Sequence, residues 1–348
     1  MWAKIRGERP AVDSPDSIER HVFMEPITLP GALLFAAAGL VVLAGGGELL
    51  VRGAINTSRL LRISPVVIGL TVVAFATSLP ELAVSLLAAL RGKPDLAVGN
   101  VVGSNIFNIA AIIGLSALLF APLRMRTPKI SFDIGVMLLA SVALIAMGWN
   151  GLIGRGEGAL FLVCLLLFLV FRARGARNLI ADDVESVAED AMGPHGRRPR
   201  GVAFSIVLIF VGAGLLTFGA EVLVRGAVVM ARVAGVSERV IAVTLVSAGT
   251  GLPELATAVV AGIRRHTAVA IGNVVGSNIF NVWGILGVVA LVSPVEASAQ
   301  LIHKDALWMF GFSAVLLLAA VKPGRTVSRL EGSVLLVAYG AYLVWLFR

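Results

Sequence analysis

Two glutamates carry the strongest chemical signal in the sequence. Glu81 and Glu254 lie in the matching stretches TSLPELA at 77–83 and TGLPELA at 250–256, about midway along two apolar runs. An ionised carboxylate at mid-membrane costs roughly 2.5 to 3.5 kcal/mol on insertion scales, so such a residue is a functional candidate by default. Each glutamate follows a proline, which removes a helical hydrogen bond and frees a carbonyl oxygen about four residues earlier. These features indicate an oxygen-lined site with two negative charges.

Hydroxyl and amide side chains near the glutamates would complete this site. The stretch GNVVGSNIFN occurs unchanged at 99–108 and at 272–281, and its Ser and last Asn, four residues apart, share one helix face. The serines and asparagines could instead only join helices by hydrogen bonds, and the hydroxyls beside the prolines could bond to backbone. The predicted composite site consists of Glu81, Glu254, Thr77, Ser78, Thr250, Ser104, Asn108, Ser277 and Asn281.

The donor atoms favour a hard cation. Ca²⁺ takes roughly six to eight oxygen ligands, and two carboxylates would neutralise its charge. A transition metal would be better served by His or Cys, but Cys164 stands alone and the four histidines fall in predicted tails or loops. A second repeated pattern, Glu48 with Arg52 and Glu221 with Arg225, has the spacing of an ion pair along one helix face and is predicted to lie outside the ion site.

The composition is that of a membrane protein. The 348 residues are 58% hydrophobic and 14% charged, and the mean hydropathy is +0.93. A span needs about 20 apolar residues, and continuous apolar runs exclude the alternating pattern of a barrel. The sequence therefore predicts an all-α integral membrane fold of ten transmembrane helices, with broken helices at the ion site. The predicted spans are 31–55, 64–90, 95–120, 129–148, 152–171, 201–231, 237–263, 268–292, 304–321 and 328–347.

The chain contains two homologous halves. Residues 46–114 match residues 219–287 at a constant offset of 173, with 34 identities in 69 positions. Five predicted spans per half force the second copy to enter the membrane from the opposite side, and such inverted repeats are typical of transporters. The predicted organisation is an N-terminal tail at 1–30, a first five-helix repeat at 31–171, a linker at 172–200 and a second repeat at 201–348.

The basic residues are best explained by topology. The net charge of +8 is spread over short loops instead of one basic domain, which argues against nucleic acid as a partner. Membrane lipid is the expected surrounding. More Lys and Arg lie on the side of the central linker, so the linker is predicted to be cytoplasmic and both termini outside a plasma (inner) membrane.

At these motifs the chain resembles the cation/calcium antiporter superfamily, particularly prokaryotic Na⁺/Ca²⁺ exchangers, whose repeats carry GTSLPEL-like and GSNxxN-like sequences. The resemblance implies Na⁺/Ca²⁺ antiport by alternating access, with no cofactor and no enzymatic activity. It implies that Glu81 and Glu254 bind both ions, that the hydroxyl and amide residues complete the sites, and that backbone carbonyls near Ala74 and Ser247 also ligate. It further implies that spans 1 and 6 slide across the remaining helices.

Two positions depart from the motifs of this superfamily, and a third distinguishes its K⁺-dependent from its K⁺-independent members. Ala76 replaces a glycine of the first motif, and Gly251 replaces a serine of the second, which removes a hydroxyl and puts one Na⁺ position in doubt. Asn281 stands where K⁺-dependent members carry aspartate, so the resemblance implies K⁺-independent exchange. A H⁺/Ca²⁺ or other divalent-cation antiporter of the same superfamily is the alternative. A channel fits an inverted repeat less well, and no nucleophile–base constellation near the glutamates supports an intramembrane enzyme.

Overall fold

A computed structural model of the chain describes residues 28–125, 128–176, 201–236 and 249–346. Most of the predicted tail, most of the predicted linker and the first half of the predicted seventh span lie outside these residues.

The described chain is built from helices that follow the predicted order. The first half contains α1 Leu29–Leu61, α2 Pro65–Thr77, α3 Leu79–Leu90, α4 Pro94–Phe120, α5 Pro128–Met147 and α6 Arg155–Ala176. The second half contains α7 Val202–Val233, α8 Leu252–Ile263, α9 Thr267–Val292, α10 Leu301–Val321 and α11 Arg329–Leu346. The predicted all-α fold is confirmed.

The number of spans fits the prediction without fixing it. Eight described helices are long and apolar enough to cross a membrane, and α2 with α3 forms a ninth span that bends by 43°. Helix α8 has 12 residues and is the described end of the predicted span 237–263. The count of ten therefore stays a prediction.

Four short strands join loops of the two halves, which the sequence did not predict. Strand β1 Leu123–Arg124 pairs antiparallel with β4 Thr326–Val327, and β2 Leu152–Ile153 pairs with β3 Val295–Glu296. Two-residue strands are too short to produce a periodic sequence signal. They fasten the halves together at the ends of the helices.

Burial separates central helices from peripheral ones. The apolar segments of α4 and α9 are 72% and 83% buried, whereas those of α6 and α11 are 22% and 17% buried. The two GSNIFN stretches therefore run through the centre of the protein. Helices α6 and α11 present large apolar side chains such as Leu167 and Val337 outward, as expected of surfaces that face lipid.

The long helices α1 and α7 pack against each other through their backbones. Both carry glycines seven residues apart, at 39, 46 and 53 in α1 and at 212, 219 and 226 in α7. A Cβ added to Gly53 would lie 2.6 Å from the Ser205 carbonyl oxygen, and one added to Gly226 would lie 2.6 Å from the Ala32 carbonyl oxygen. Small residues permit such close antiparallel contact in a membrane. Helices α1 and α7 therefore form a closely packed pair.

Glycines also bring the GSNIFN stretch of α9 against the bent span. A Cβ at Gly272 would lie 2.6 Å from the Val66 carbonyl oxygen, and one at Gly276 would lie 2.5 Å from the Leu70 carbonyl oxygen. No larger side chain fits at either position unless α2 moves away. The motif of the second half is thus held directly beside the helix break of the first half.

The fifth span extends beyond its predicted end. Helix α6 continues to Ala176, past the residue 172 at which the linker was predicted to begin. Arg172 is 3% exposed, and its Nε lies 3.2 Å from Oδ1 of Asp133 on α5. A buried charge requires a partner of this kind. The polar sequence at 172–176 therefore belongs partly to the helical bundle.

Candidate functional site

The two glutamates sit just after equivalent helix breaks. Helix α2 ends at Thr77, and Ser78 leaves helical geometry at φ −83° and ψ 1° before α3 begins. Gly251 has almost the same angles, −84° and −3°, before α8. In both cases a proline in the first turn cannot donate to the preceding helix. Glu81 and Glu254 therefore lie in the first turns of α3 and α8, where the positive end of a helix dipole favours a carboxylate.

Both carboxyl groups are buried close to each other. Glu81 and Glu254 are each 1% exposed, and their charges interact directly. Neither glutamate belongs to any ion pair within the described ranges. In each carboxyl group the Oε2 atom is buried without a hydrogen-bond partner. A pair of like charges in this environment is unfavourable unless a cation neutralises them.

Hydroxyl groups from α2 and α9 surround Glu254. The Thr77 hydroxyl lies 3.5 Å from the Ser277 hydroxyl oxygen and donates to Oδ1 of Asn273 over 3.2 Å. Both hydroxyls face the Glu254 carboxyl group. Thr77 of the first half and Ser277 of the second half therefore lie together beside Glu254.

The amide oxygens of Asn108 and Asn281 are left unpaired. Asn108 Nδ2 donates to Oδ1 of Asn278 over 3.0 Å, and Asn281 Nδ2 donates to Oδ1 of Asn105 over 3.0 Å. The Oδ1 atoms of Asn108 and Asn281 are buried and accept no hydrogen bond. Both residues lie at the start of π-helical turns, Phe107–Ile113 in α4 and Phe280–Leu286 in α9, and such turns are frequent at functional sites.

Asn105 and Asn278 are the residues that the sequence analysis missed. Each lies in the middle of a GSNIFN stretch and donates its amide to the backbone carbonyl of the other, over 3.1 Å from Asn105 and 3.4 Å from Asn278. Their identical positions in the two repeats were the available signal. Only the structure reveals that they contact the two asparagines of the predicted site.

Five buried oxygens without a hydrogen-bond partner belong to residues of the predicted site. Leaving a buried polar atom without a partner costs about 1 to 3 kcal/mol, so these atoms are candidates for binding an ion. Oxygen atoms of this kind suit a hard cation. The unpaired oxygens of predicted site residues are Ser78 Oγ, Glu81 Oε2, Asn108 Oδ1, Glu254 Oε2 and Asn281 Oδ1.

The remaining predicted residues have less direct evidence. Ser104 is buried one turn before Asn108, and Thr250 is half-buried at the second helix break. The Ala74 carbonyl accepts from Ser78 N over 3.0 Å and from the Thr77 hydroxyl over 3.4 Å. Ser247 lies outside the described residues.

Asn100 supports the position of Glu81. Its Nδ2 donates to the Glu81 carbonyl oxygen over 3.3 Å and to the Ser85 hydroxyl over 2.9 Å. Asn100 lies within α4, six residues after its first residue Pro94, and joins α4 to α3. The two helices that carry Glu81 and Asn108 are thereby fixed relative to each other.

Known proteins resemble the chain along almost its whole length. A family model described as sodium/calcium exchanger protein matches residues 31–174 and 204–348. The sodium/calcium exchanger MaX1 of Methanosarcina acetivorans is 31% identical over 344 residues, which cover 90% of this chain and 98% of MaX1. The inner membrane protein YrbG of Escherichia coli is 34% identical over 315 residues, which cover 88% of this chain and 93% of YrbG.

A solved structure has the same fold. The sodium-calcium exchanger NCX_Mj, soaked with zero Na⁺ and Ca²⁺, aligns with a TM-score of 0.77 at 28% sequence identity. The alignment covers 92% of this chain and 100% of NCX_Mj. The two matched segments of the family model correspond to the two halves of the chain, and each contains one helix break and one GSNIFN stretch. This chain is a cation/calcium antiporter that belongs to the sodium/calcium exchanger family.

Proposed function

We propose that the chain exchanges Na⁺ for Ca²⁺ by alternating access, with Glu81 and Glu254 as the shared charged ligands. The observation that carries the proposal is that Glu81 and Glu254 are both buried, form no ion pair within the described residues and each keep one carboxyl oxygen without a hydrogen-bond partner. One Ca²⁺ would neutralise both carboxylates, and Na⁺ ions could replace it by neutralising the same charges. The two ions would therefore compete for one site.

The neutral oxygens would complete the coordination shell. Hydroxyls of Thr77 and Ser277 face Glu254, and the amide oxygens of Asn108 and Asn281 are free to accept a cation. Ca²⁺ prefers roughly six to eight oxygens, more than two carboxylates supply alone. The other proposed contributors are Ser78, Ser104, Thr250 and the carbonyls near Ala74 and Ser247.

Alternating access would use the α1–α7 pair as the moving unit. Backbone contacts through glycines hold α1 to α7, whereas the site itself belongs to α2, α3, α4, α8 and α9. A rigid pair can slide across a fixed site, as the inverted repeat permits. Each position of the pair would expose the site to one side of the membrane.

The hydrogen bonding of Asn281 favours K⁺-independent exchange. Its Nδ2 donates to Asn105 Oδ1, and an aspartate at this position could not donate that bond. An amide keeps the charge of the site at −2, from Glu81 and Glu254, which matches one Ca²⁺ without an additional monovalent ion. The alternative activity is H⁺/Ca²⁺ exchange, because the same two carboxyl groups could carry protons in place of Na⁺.

The proposed location is the plasma (inner) membrane, with the central linker in the cytoplasm and both termini outside. The excess of basic residues on the linker side supports this orientation. The relative YrbG is named an inner membrane protein. Membrane lipid would surround the exposed apolar faces of α6 and α11.

Neutralising either glutamate should stop exchange. Removing one partner of a buried charge interaction costs about 3 to 5 kcal/mol, so Glu81→Gln and Glu254→Gln should each reduce Ca²⁺ exchange in proteoliposomes at least about hundredfold. Glu296→Gln, at an exposed position of strand β3, is the matched control and should keep normal exchange. Size-exclusion profiles and melting temperatures verify folding. Normal exchange by either site variant would refute the proposed site.

Ion dependence separates the proposed activity from its alternatives. An imposed Na⁺ gradient should drive Ca²⁺ uptake into vesicles at fixed pH, and added K⁺ should not change the rate. Asn281→Asp adds a third carboxylate, so the variant should be slower, more sensitive to pH or stimulated by K⁺. A wild-type requirement for K⁺ would contradict the role given to Asn281, and uptake driven only by a pH gradient would favour H⁺/Ca²⁺ exchange.

The proposed topology predicts opposite accessibility of the tail and the linker. In a Cys164→Ala background, Pro15→Cys should react with a membrane-impermeant thiol reagent from outside, and Glu185→Cys should react from the cytoplasmic side. Five spans between these positions require this difference. Labelling of both cysteines from one face would show that the first repeat does not cross the membrane an odd number of times.

A further inference from the structure

An amide side chain presents either an oxygen or an NH₂ group, and only the oxygen can bind a cation. Asn108 and Asn281 therefore need a neighbour that fixes the direction of each amide. Asn278 Oδ1 accepts from Asn108 Nδ2, and Asn105 Oδ1 accepts from Asn281 Nδ2, each over 3.0 Å. Because each NH₂ group is engaged in this way, each amide oxygen remains available.

The two neighbours are themselves held in one orientation. Asn105 Nδ2 donates to the Asn278 carbonyl oxygen over 3.1 Å, and Asn278 Nδ2 donates to the Asn105 carbonyl oxygen over 3.4 Å. A flipped amide at either position would turn an NH₂ group toward the NH₂ group of Asn281 or Asn108. All four asparagines are 1 to 2% exposed, so water cannot replace the lost bonds cheaply.

We propose that Asn105 and Asn278 are positioning residues that aim the amide oxygens of Asn281 and Asn108 at the transported ion. The proposal rests on the proposed function, because it deepens the description of the same site. Each ligand is aimed by a residue of the opposite half, so the two repeats share one ion shell. Asn105 thus acts through Asn281, and Asn278 acts through Asn108. Neither positioning residue contacts the ion itself.

The test separates this role from simple helix joining. Asn105→Ala removes both the acceptor for Asn281 and the donor to the Asn278 carbonyl, whereas Asn105→Asp keeps the acceptor, loses the donor and adds a carboxyl group, whose negative charge would not weaken Ca²⁺ binding. If orientation matters, Asn105→Ala should raise the apparent KM for Ca²⁺ about tenfold, the size expected for one lost buried polar contact. Asn105→Asp should raise it by less than about threefold, with a similar fall in melting temperature for both variants.

The mirror pair, Asn278→Ala and Asn278→Asp, should behave in the same way through Asn108. Equal KM changes in the Ala and Asp variants would overturn the proposal, because a purely structural role depends on the donor that both variants lose. Wild-type exchange of Na⁺ for Ca²⁺ is measured beside them. Failure of the wild type refutes the proposed function, and equal variants with an active wild type refute only the positioning role.

The repeated Glu–Arg pattern takes part in a contact between helices. The predicted ion pairs Glu48–Arg52 and Glu221–Arg225 are present. Glu48 on α1 has a further partner, Arg264, which directly follows α8 and donates Nε over 2.9 Å and Nη2 over 2.7 Å to the two carboxylate oxygens. This two-point contact fastens the α1–α7 pair to the end of α8.

The equivalent contact in the other half, between Glu221 and Arg91, is not formed. At the offset of 173, Glu48 corresponds to Glu221 and Arg264 corresponds to Arg91, with identical residue types. Glu221 has a 57% exposed side chain and pairs with Arg225. Within the described ranges, Glu221 forms no ion pair with Arg91.

Helix packing has the same asymmetry. Helix α1 packs along α8, whereas α7 has no comparable contact with α3. A Cβ on Gly47 of α1 would lie 3.0 Å from Val260 of α8. Leu79 at the start of α3 is 38% exposed, while its counterpart Leu252 at the start of α8 is half-buried.

We also infer that Glu48–Arg264 and Glu221–Arg91 are alternating latches, one closed in each position of the α1–α7 pair. Inverted repeats exchange their local environments when the transporter changes sides, so the closed contact of one half becomes the open contact of the other. This inference rests on the proposed alternating access. It does not depend on which ions are exchanged.

Crosslinking tests the latches directly. In a Cys164→Ala background, a short flexible thiol crosslinker is applied to vesicles that contain Glu48→Cys with Arg264→Cys, or Glu221→Cys with Arg91→Cys. Both pairs should crosslink at rates within about tenfold of each other, since exposed ion pairs bias an equilibrium only slightly. The control pair, Glu48→Cys with Arg91→Cys, should remain uncrosslinked.

Failure of the 91–221 pair to crosslink, with the 48–264 pair crosslinking and the Cys164→Ala parent exchanging Ca²⁺, would overturn the latch inference and leave the exchange activity intact. Crosslinking of the control pair would overturn it as well, because a contact between unrelated ends is inconsistent with two defined positions. An inactive parent that still crosslinks both pairs would refute the ion assignment and support the latches.

Discussion

The protein is organised around two buried carboxyl groups that no described basic side chain neutralises. Glu81 and Glu254 are each 1% exposed and would repel one another if both were ionised. A charge in this environment is tolerated only with a partner. In the proposed function that partner is a cation, which Ser78, Asn108 and Asn281 would also bind through buried oxygens that lack hydrogen-bond partners. Binding the ion would then neutralise the carboxylates and give these oxygens a partner.

The inverted repeat places equivalent residues of the two halves close together, so that both halves contribute to one site. Each half contributes a helix break with a glutamate and a helix with GSNIFN, and glycine contacts press α9 against the bent span. Hydrogen bonds between asparagines of the two halves join the two GSNIFN stretches. Glycine contacts hold α1 and α7 closely together, and the proposed alternating access moves these two helices as one unit. The two halves share the same Glu and Arg residue types at equivalent positions, but the structure forms the Glu48–Arg264 contact and not its counterpart between Glu221 and Arg91.

Much of this arrangement could be predicted from the sequence. The repeat at an offset of 173, the apolar runs and the glutamates after prolines led to the membrane fold, the helix breaks and the family. The role of Asn105 could not be predicted, because the direction of an amide depends on partners about 170 residues away. Arg172 was assigned to the linker for its polarity, although Asp133 holds it inside the bundle. The contact of Glu48 with Arg264 also could not be predicted, because the spacing of residues along one helix reveals only the local partner Arg52.

The proposed exchange requires that Na⁺, and not H⁺, replaces Ca²⁺ on the two carboxylates. Calorimetry of Ca²⁺ binding to the purified protein, at fixed pH and in buffers of different ionisation enthalpy, measures Na⁺ competition and proton release together. In Na⁺-containing buffer, Ca²⁺ binding should weaken steeply as the Na⁺ concentration rises and should release less than about one proton per Ca²⁺, because Na⁺ ions leave the carboxylates. Binding that is insensitive to Na⁺ and releases about two protons would contradict the proposed exchange, because the glutamates would then exchange Ca²⁺ for protons.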